Sequence, residues 1–223
     1  GAFNDNAFRQ LVLLFTVSAA TAEALPWMAA DPLAVGPDGS SRQWLPATLF
    51  ALPFVLLCTS TGALADRLSK SSIIKTANVL EIAVMAAATA ALYLQSYVGL
   101  LAVVLLMGAQ SALFGPSKYG ILREIVPDRD MSRANALLQT STTVAILGGL
   151  VLAGTLAESF GDRLWIPGLV YVGLATLGWL ASLPIEHQEP RNPSRAIPLN
   201  FAAEMLRQSR NVRGVPHLGV SIV

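Results

Sequence analysis

Leu45-Pro-Ala-Thr-Leu-Phe-Ala-Leu-Pro-Phe-Val-Leu-Leu-Cys-Thr-Ser-Thr-Gly-Ala-Leu-Ala65, followed at once by Asp66-Arg67-Leu68-Ser69-Lys70, is the stretch that decides the fold. The first part carries no charge. Its length suits a helix crossing the hydrocarbon core, which takes about 20 apolar residues. The second part is a charge cluster at the water boundary. The step between them reads as a membrane span leaving the bilayer on its basic, cytoplasmic side.

The same pattern recurs on both sides. Asn78–Gln95, with Glu81 near its start, is the third span; Tyr97–Ser117 is the fourth, Ala134–Ala157 the fifth and Leu164–Ile185 the sixth. A first span runs from before Asp5 to about Met28, with Asp5, Arg9 and Glu23 inside it. The connections alternate. Asp31–Arg42 is a Pro/Gly/Asp/Ser loop ending near Trp44, Gln95-Ser96 is a very short turn, and Glu158–Arg163 is short with Gly161 as a stop. The remaining connections carry Arg67, Lys70, Lys75, Arg123, Arg129, Arg133, Arg191, Arg195, Arg207, Arg210 and Arg213, against Arg42 and Arg163 on the other side. Positive charge stays inside, so both ends are expected in the cytoplasm and Asp31–Arg42 outside.

Composition agrees. The chain is 53% hydrophobic and 13% charged, with a mean hydropathy of +0.55; a soluble domain carries about a quarter charged residues. The net charge of +1 excludes a nucleic-acid footprint. A single cysteine, Cys58 in an apolar run, excludes an internal disulfide and reads as a packing residue. His187 and His217 stand apart from any Cys/Asp/Glu set at ligand spacing, so no metal site, no Ser/His/Asp catalytic set and no cofactor are expected. No phosphate-binding lysine loop occurs, which excludes ATP as the energy source within these residues.

Residues 1–185 therefore read as a six-helix transmembrane bundle. Residues 186–214 are a polar, Pro-rich cytoplasmic linker, in which Phe201–Arg213 suits an amphipathic surface helix or ordinary loop equally. Residues 215–223 start another apolar run. The chain begins with Gly1 and stops inside that run, which reads as a piece cut at both ends. Six spans, a long linker and a new span match one half of a twelve-span transporter built from 3+3 inverted repeats.

Two ionisable residues lie at bilayer depth: Asp5 in Asn4-Asp5-Asn6, and Lys118 in Gly115-Pro116-Ser117-Lys118-Tyr119-Gly120. A charge there costs roughly 2.5–3.5 kcal/mol on insertion scales and usually marks a function. Counted from the outer surface, Asp5 lies roughly 35 Å along its helix from Met28 and Lys118 roughly 32 Å from Tyr97. Equal depth makes an Asp5–Lys118 contact feasible; Arg9, four residues on, competes for Asp5. The bland alternative is that Lys118 snorkels to the inner interface. Pro116, flanked by Gly115 and Gly120, removes a helix hydrogen bond and would let the fourth span bend, either as part of a cavity or as a passive kink. Asn135, Gln139 and Thr143 form one polar stripe on the fifth span, suited to a lipid headgroup or to a neighbouring helix. Gly149 and Ala153 are a small-residue pair for helix packing. Glu81 is expected to pair with Arg67 or Lys75, and Glu23 to lie near the outer water.

Gly62-Ala-Leu-Ala-Asp66-Arg67-Leu-Ser-Lys70 resembles the signature of the major facilitator superfamily between spans two and three, Gly-x-Leu-Ala-Asp-Arg-x-Gly-Arg-Arg/Lys. It departs from that pattern at Ser69, where the family has Gly. The resemblance implies an all-α membrane fold, here its N-terminal half. It also implies a conformational latch of Gly62, Asp66, Arg67 and Lys70, with the carboxylate facing a helix N-terminus of the C-terminal six-span half. The plain alternative is a charge cluster that only orients the protein. More narrowly, Gly1-Ala-Phe-Asn-Asp5-Asn6, Phe114-Gly-Pro-Ser-Lys118-Tyr119-Gly120-Ile-Leu, Ala134-Asn135-Ala-Leu and Ala145-Ile-Leu-Gly148 resemble the bacterial lysophospholipid transporter family. In that family the residues matching Asp5 and Lys118 are implicated in transport. The resemblance implies a substrate role for Asp5 and Lys118 alone, a lysophospholipid such as lysophosphatidylethanolamine as substrate, and the bacterial inner membrane as location; Asn6, Asn135 and Gln139 join the candidate cavity on the reading of the residues themselves. An acyltransferase, fused or separate, is the implied partner. Another small solute, an enzyme whose transport half this is, or a membrane-interaction module remain as alternatives.

Overall fold

A computed structural model of the chain describes residues 26–185 apart from Leu68, Gly161, Asp162 and Leu164; at 58–67, 116, 118, 119 and 123–125 it describes the backbone only. The first span with Asp5, Asn6, Arg9 and Glu23, the linker 186–214 and the run 215–223 lie outside the described residues.

A short helix α1 (Pro26–Ala29) precedes five long ones: α2 (Trp44–Arg67), α3 (Lys70–Tyr93), α4 (Tyr97–Ile125), α5 (Met131–Ser159) and α6 (Trp165–Ser182). Among the described residues the one β-type pairing is an isolated bridge between Val35 and Ser41. Helices α3 and α6, and the apolar parts of α4 and of the unit made by α5 and its leading 3-10 turn, are long and apolar enough to cross a membrane; Trp44–Leu57 of α2 is a shorter apolar stretch.

Local chemistry sets the connections. The loop 31–42 closes as a small hairpin: Asp31 Oδ1 accepts from the Leu33 amide, Asp38 Oδ1 from the Ser40 amide and hydroxyl, and the Gly36 amide donates to the Ser40 carbonyl. Gly39 takes a φ of +75° there, open to glycine without strain. The α3–α4 turn reverses the chain in three residues. Gln95 adopts φ 52°, and the Ser96 hydroxyl accepts the Gly99 amide at 3.1 Å, capping α4. Pro127 ends the α4 run and a 3-10 turn, Asp128–Asp130, leads into α5.

Helix α4 is central: it packs on α2 and α3, and α3 packs on α6. Contact between α3 and α6, the third and sixth spans, is what a two-fold relation between two three-helix repeats produces. Two glycines allow the close approaches. A Cβ on Gly108 of α4 would lie 3.0 Å from the Phe50 carbonyl carbon of α2, and one on Gly168 of α6 would lie 2.9 Å from Thr89 Cα of α3. Small residues at crossings are how membrane helices gain van der Waals contact without a hydrophobic drive between them.

The interior divides by depth. Toward the α3–α4 turn it is apolar: Met28, Val84, Met85, Ala88, Leu92, Leu100, Val104 and Met107 form one buried cluster. Ala153 belongs to it and Gly149 is also buried, so this small-residue pair does serve packing. Toward the start of α3 its buried stripe turns polar, with Lys70, Ser71, Asn78 and Glu81.

Candidate functional site

Helix α2 ends at Arg67, α3 begins at Lys70, and the Ile73 amide donates to the Ser69 carbonyl at 3.0 Å. Ser69, at the family's glycine position, lies 2.8 Å hydroxyl to hydroxyl from Ser71, both buried. Ser69 thereby serves the start of α3.

Lys70 is 6% exposed. Its chain crosses α4 at Gly120: a Cβ on that glycine would lie 2.7 Å from Lys70 Cε and 3.0 Å from Cδ. Gly120 thus leaves room for the lysine stem. The α4 helix continues through Gly115, Pro116 and Gly120 without interruption. The structure brings together two stretches that the sequence reading kept apart, the junction lysine and the Pro-Ser-Lys-Tyr-Gly stretch bearing Lys118. Gly62, Asp66 and Arg67 lie on the last turns of α2 and Lys118 on the C-terminal part of α4; the surroundings of these side chains lie outside the described residues.

Two buried polar groups on α4 escaped the sequence reading. Gln110 donates from Nε2 to the Ala77 carbonyl of α3 at 3.1 Å, while its Oε1 has no hydrogen-bond partner. The Ser117 hydroxyl, beside Lys118, is fully buried and also without one. A lone amide within Tyr97–Ser117 was the available signal for Gln110; the hydroxyl of Ser117 gave none.

Helix α5 presents the expected stripe outward. Asn135, Gln139 and Thr143 are exposed, with the Thr143 hydroxyl turned back onto the Gln139 carbonyl at 3.0 Å. Thr142 and Ser141 bond back to the Leu138 carbonyl in the same way. These hydroxyls are satisfied along their own helix. Glu81 is buried at 2% exposure on the polar stripe of α3. Among the described residues no group of His, Cys, Asp and Glu could hold a metal ion.

Residues 11–218 match the family model described as Major Facilitator Superfamily. A lysophospholipid transporter LplT of Photorhabdus laumondii is 34% identical over 130 residues, covering 58% of this chain and 31% of that protein. The transporter of that name from Cronobacter sakazakii is 33% identical over 126 residues, 56% of this chain and 30% of the relative. That of Salmonella typhimurium is 34% identical over 136 residues, 60% and 31%. Each match thus covers about a third of the relative's own length.

Proposed function

The chain belongs to the major facilitator superfamily, and from that premise we propose that it is the N-terminal six-span half of a secondary transporter for lysophospholipid. The substrate class is the one named for its relatives in Photorhabdus, Cronobacter and Salmonella. Family membership speaks for a transporter and against an enzyme. In this reading the lipid moves toward the cytoplasmic leaflet of a bacterial inner membrane, where an acyltransferase, fused or separate, restores its second chain. The partner that completes the cavity is a C-terminal six-span half.

The observation that carries the reading is the exposed amide stripe of α5. Asn135, Gln139 and Thr143 run along a helix long and apolar enough to cross the membrane. From Met131 to Thr143 is about 18 Å of helix, which reaches past the inner interface toward the midplane. Polar side chains at that depth face protein or a water-filled cavity, not acyl chains. A passive anchor has no use for such a stripe; a headgroup pathway does. A zwitterionic headgroup suits opposite charges in one cavity, its phosphate toward Lys118 and its amine toward Asp5.

Uptake of labelled lysophosphatidylethanolamine into spheroplasts by the complete protein tests this. Asp5→Ala and Lys118→Ala should each abolish uptake while still reaching the membrane. The double variant should stay inactive, because each charge holds its own part of the headgroup. Recovery in the double variant would reduce the pair to mutual compensation of burial. Near-normal uptake by Lys118→Ala would mean that Lys118 snorkels and would remove the cavity role.

A further inference from the structure

A groove of about 400 Å³ runs between α3 and α6 at the end of the bundle that carries the α3–α4 turn, lined among others by Ala86, Thr89, Tyr93, Trp165, Leu169 and Val172. Ala86, Tyr93, Trp165 and Leu169 are exposed, so the groove opens sideways. Its back is closed. A Cβ on Gly168 would lie 2.9 Å from Thr89 Cα, and the inward faces of the same helices carry Met85, Ala88 and Tyr171, each at 0% exposure. The groove therefore ends against packed side chains.

Below the rim the lining is apolar apart from Thr89, whose hydroxyl donates to the Met85 carbonyl of its own helix at 2.9 Å. A ligand there meets only hydrocarbon. The rim differs. Tyr93 ends α3 and Trp165 begins α6, two helices long and apolar enough to cross a membrane. Rings with an apolar body and a polar tip gather at membrane–water interfaces. From Tyr93 to Ala86, and from Trp165 to Val172, is about 10 Å of helix, most of one leaflet of a hydrocarbon core about 30 Å thick.

Both signs of charge stand at this end. Arg163 is exposed two residues before Trp165, and Glu158 is exposed at the end of α5. The Arg163 amide donates to the Phe160 carbonyl at 2.7 Å, so the α5–α6 connection folds tightly and keeps the two charges at one level. A phosphate suits Arg163. A net-negative headgroup would also meet Glu158 and, next to Arg163 in sequence, Asp162. A zwitterion has a partner for each sign.

We propose that the α3–α6 groove holds one resident diacyl glycerophospholipid of zwitterionic headgroup. One acyl chain lies along Ala86, Leu169 and Val172, and the other stays in the bilayer. The phosphate meets Arg163 and the Trp165 indole N–H, and the cationic end of the headgroup faces Glu158. This lipid stays in place, because the groove is closed toward the core. The proposal rests on the membrane placement of α3 and α6, goes beyond transport and does not depend on what the complete protein carries across.

The test uses the complete protein in phosphatidylcholine vesicles with Trp165 as its sole tryptophan; Trp27→Phe, Trp44→Phe, Trp179→Phe and the same change at any tryptophan outside these residues remove the others. A rising fraction of the lipid carries brominated chains. One resident lipid makes quenching of Trp165 follow that fraction in proportion, whereas an indole open to the bilayer touches several lipids and is half-quenched well before the two lipids are equal in amount. The proportional curve is expected, and Ala86→Phe, which fills the groove, should convert it to the steeper one; Ala90→Leu serves if Ala86→Phe does not fold. As trace probes with the same brominated chains, phosphatidylcholine should quench more than diacylglycerol, which lacks the phosphate, by roughly 1.5- to fivefold, the worth of one exposed charge pair. Arg163→Gln should close most of that gap, and phosphatidylglycerol should quench no more than phosphatidylcholine. A steep curve unchanged by the filling variants, equal quenching by diacylglycerol and phosphatidylcholine, stronger quenching by phosphatidylglycerol, or no quenching at all overturns the proposal.

Discussion

The crossing of α2 and α4 gives the sharpest test of the packing. Gly108→Ala adds one methyl group whose carbon would lie 3.0 Å from the Phe50 carbonyl carbon and 3.2 Å from its Cα, closer still to its oxygen. These atoms are backbone of another helix and cannot rotate away, so the two helices must separate. Overpacking of this kind costs about 1–3 kcal/mol. Gly154→Ala on α5 is the control, because a Cβ there meets nothing within 4 Å. Both changes gain the same helix preference of Ala over Gly, up to about 1 kcal/mol. Subtracting one variant from the other removes that gain and leaves the steric term. Gly108→Ala should therefore fall about 1–3 kcal/mol below Gly154→Ala, a factor of roughly 5 to 150 in the folded-to-unfolded ratio. Reversible unfolding of the complete protein in mixed micelles, titrated with a denaturing detergent, measures the difference. Coincident midpoints for the two variants would refute the close α2–α4 approach.

At the signature junction, Gly120→Ala forces the Lys70 stem aside; the displaced atoms belong to a flexible chain, so a small stability loss, below that of Gly108→Ala, is expected with a larger loss of uptake, and unchanged uptake would separate Lys70 from the transport cycle. Topology is checked in a Cys58→Ser background. Ser40→Cys should react with an impermeant thiol reagent added outside and Ser194→Cys should not; the reverse labelling would invert the orientation drawn from the basic connections. Asp38 has its carboxyl held below the usual carboxylate range, first by the Ser40 hydroxyl and then by backbone amides of the hairpin. A depressed folded value means that this contribution is present above the unfolded carboxylate pKa, about 3.9, and is lost as pH falls through the lower folded value. A spin label introduced through Ser41→Cys should stay ordered at neutral pH and loosen only in strong acid, and Asp38→Asn should abolish that acid step; loosening that begins near pH 6 would contradict it.

The five long helices were legible because a charge-free run of membrane length is a strong signal. Leu45–Ala65 against α2, and Ala134–Ala157 against α5, differ from the observed helices by only a few residues at either end. The boundaries that slipped share one cause. Reading charge as water placed the third span from Asn78 and ended the fourth at Ser117, whereas α3 begins at Lys70 and α4 runs on to Ile125. Lys70 and Glu81 are buried inside helix packing, so their charges mark the interior and not the edge. Period and hydropathy cannot report that, because burial of a lysine depends on a glycine fifty residues away on another helix. The same reason hid Gln110: its worth comes from the Ala77 carbonyl it meets. The amide stripe of α5, in contrast, was legible, since i, i+4, i+8 spacing is a property of one helix.

Helices α3 and α4 are joined at three levels: the three-residue reversal through Gln95 and Ser96 at one end, the Gln110–Ala77 hydrogen bond midway, and the Lys70 stem lying in the Gly120 notch at the other end. A hairpin pinned at both ends and the middle behaves mechanically as one lever. Sliding α4 along α3 would have to break all three joints at once, whereas tilting the pair together breaks none. A displacement of the α3–α4 pair thus moves the Ser69–Lys70 start of α3 and the Lys118 segment together as one rigid arm, and no separate relay is needed between them.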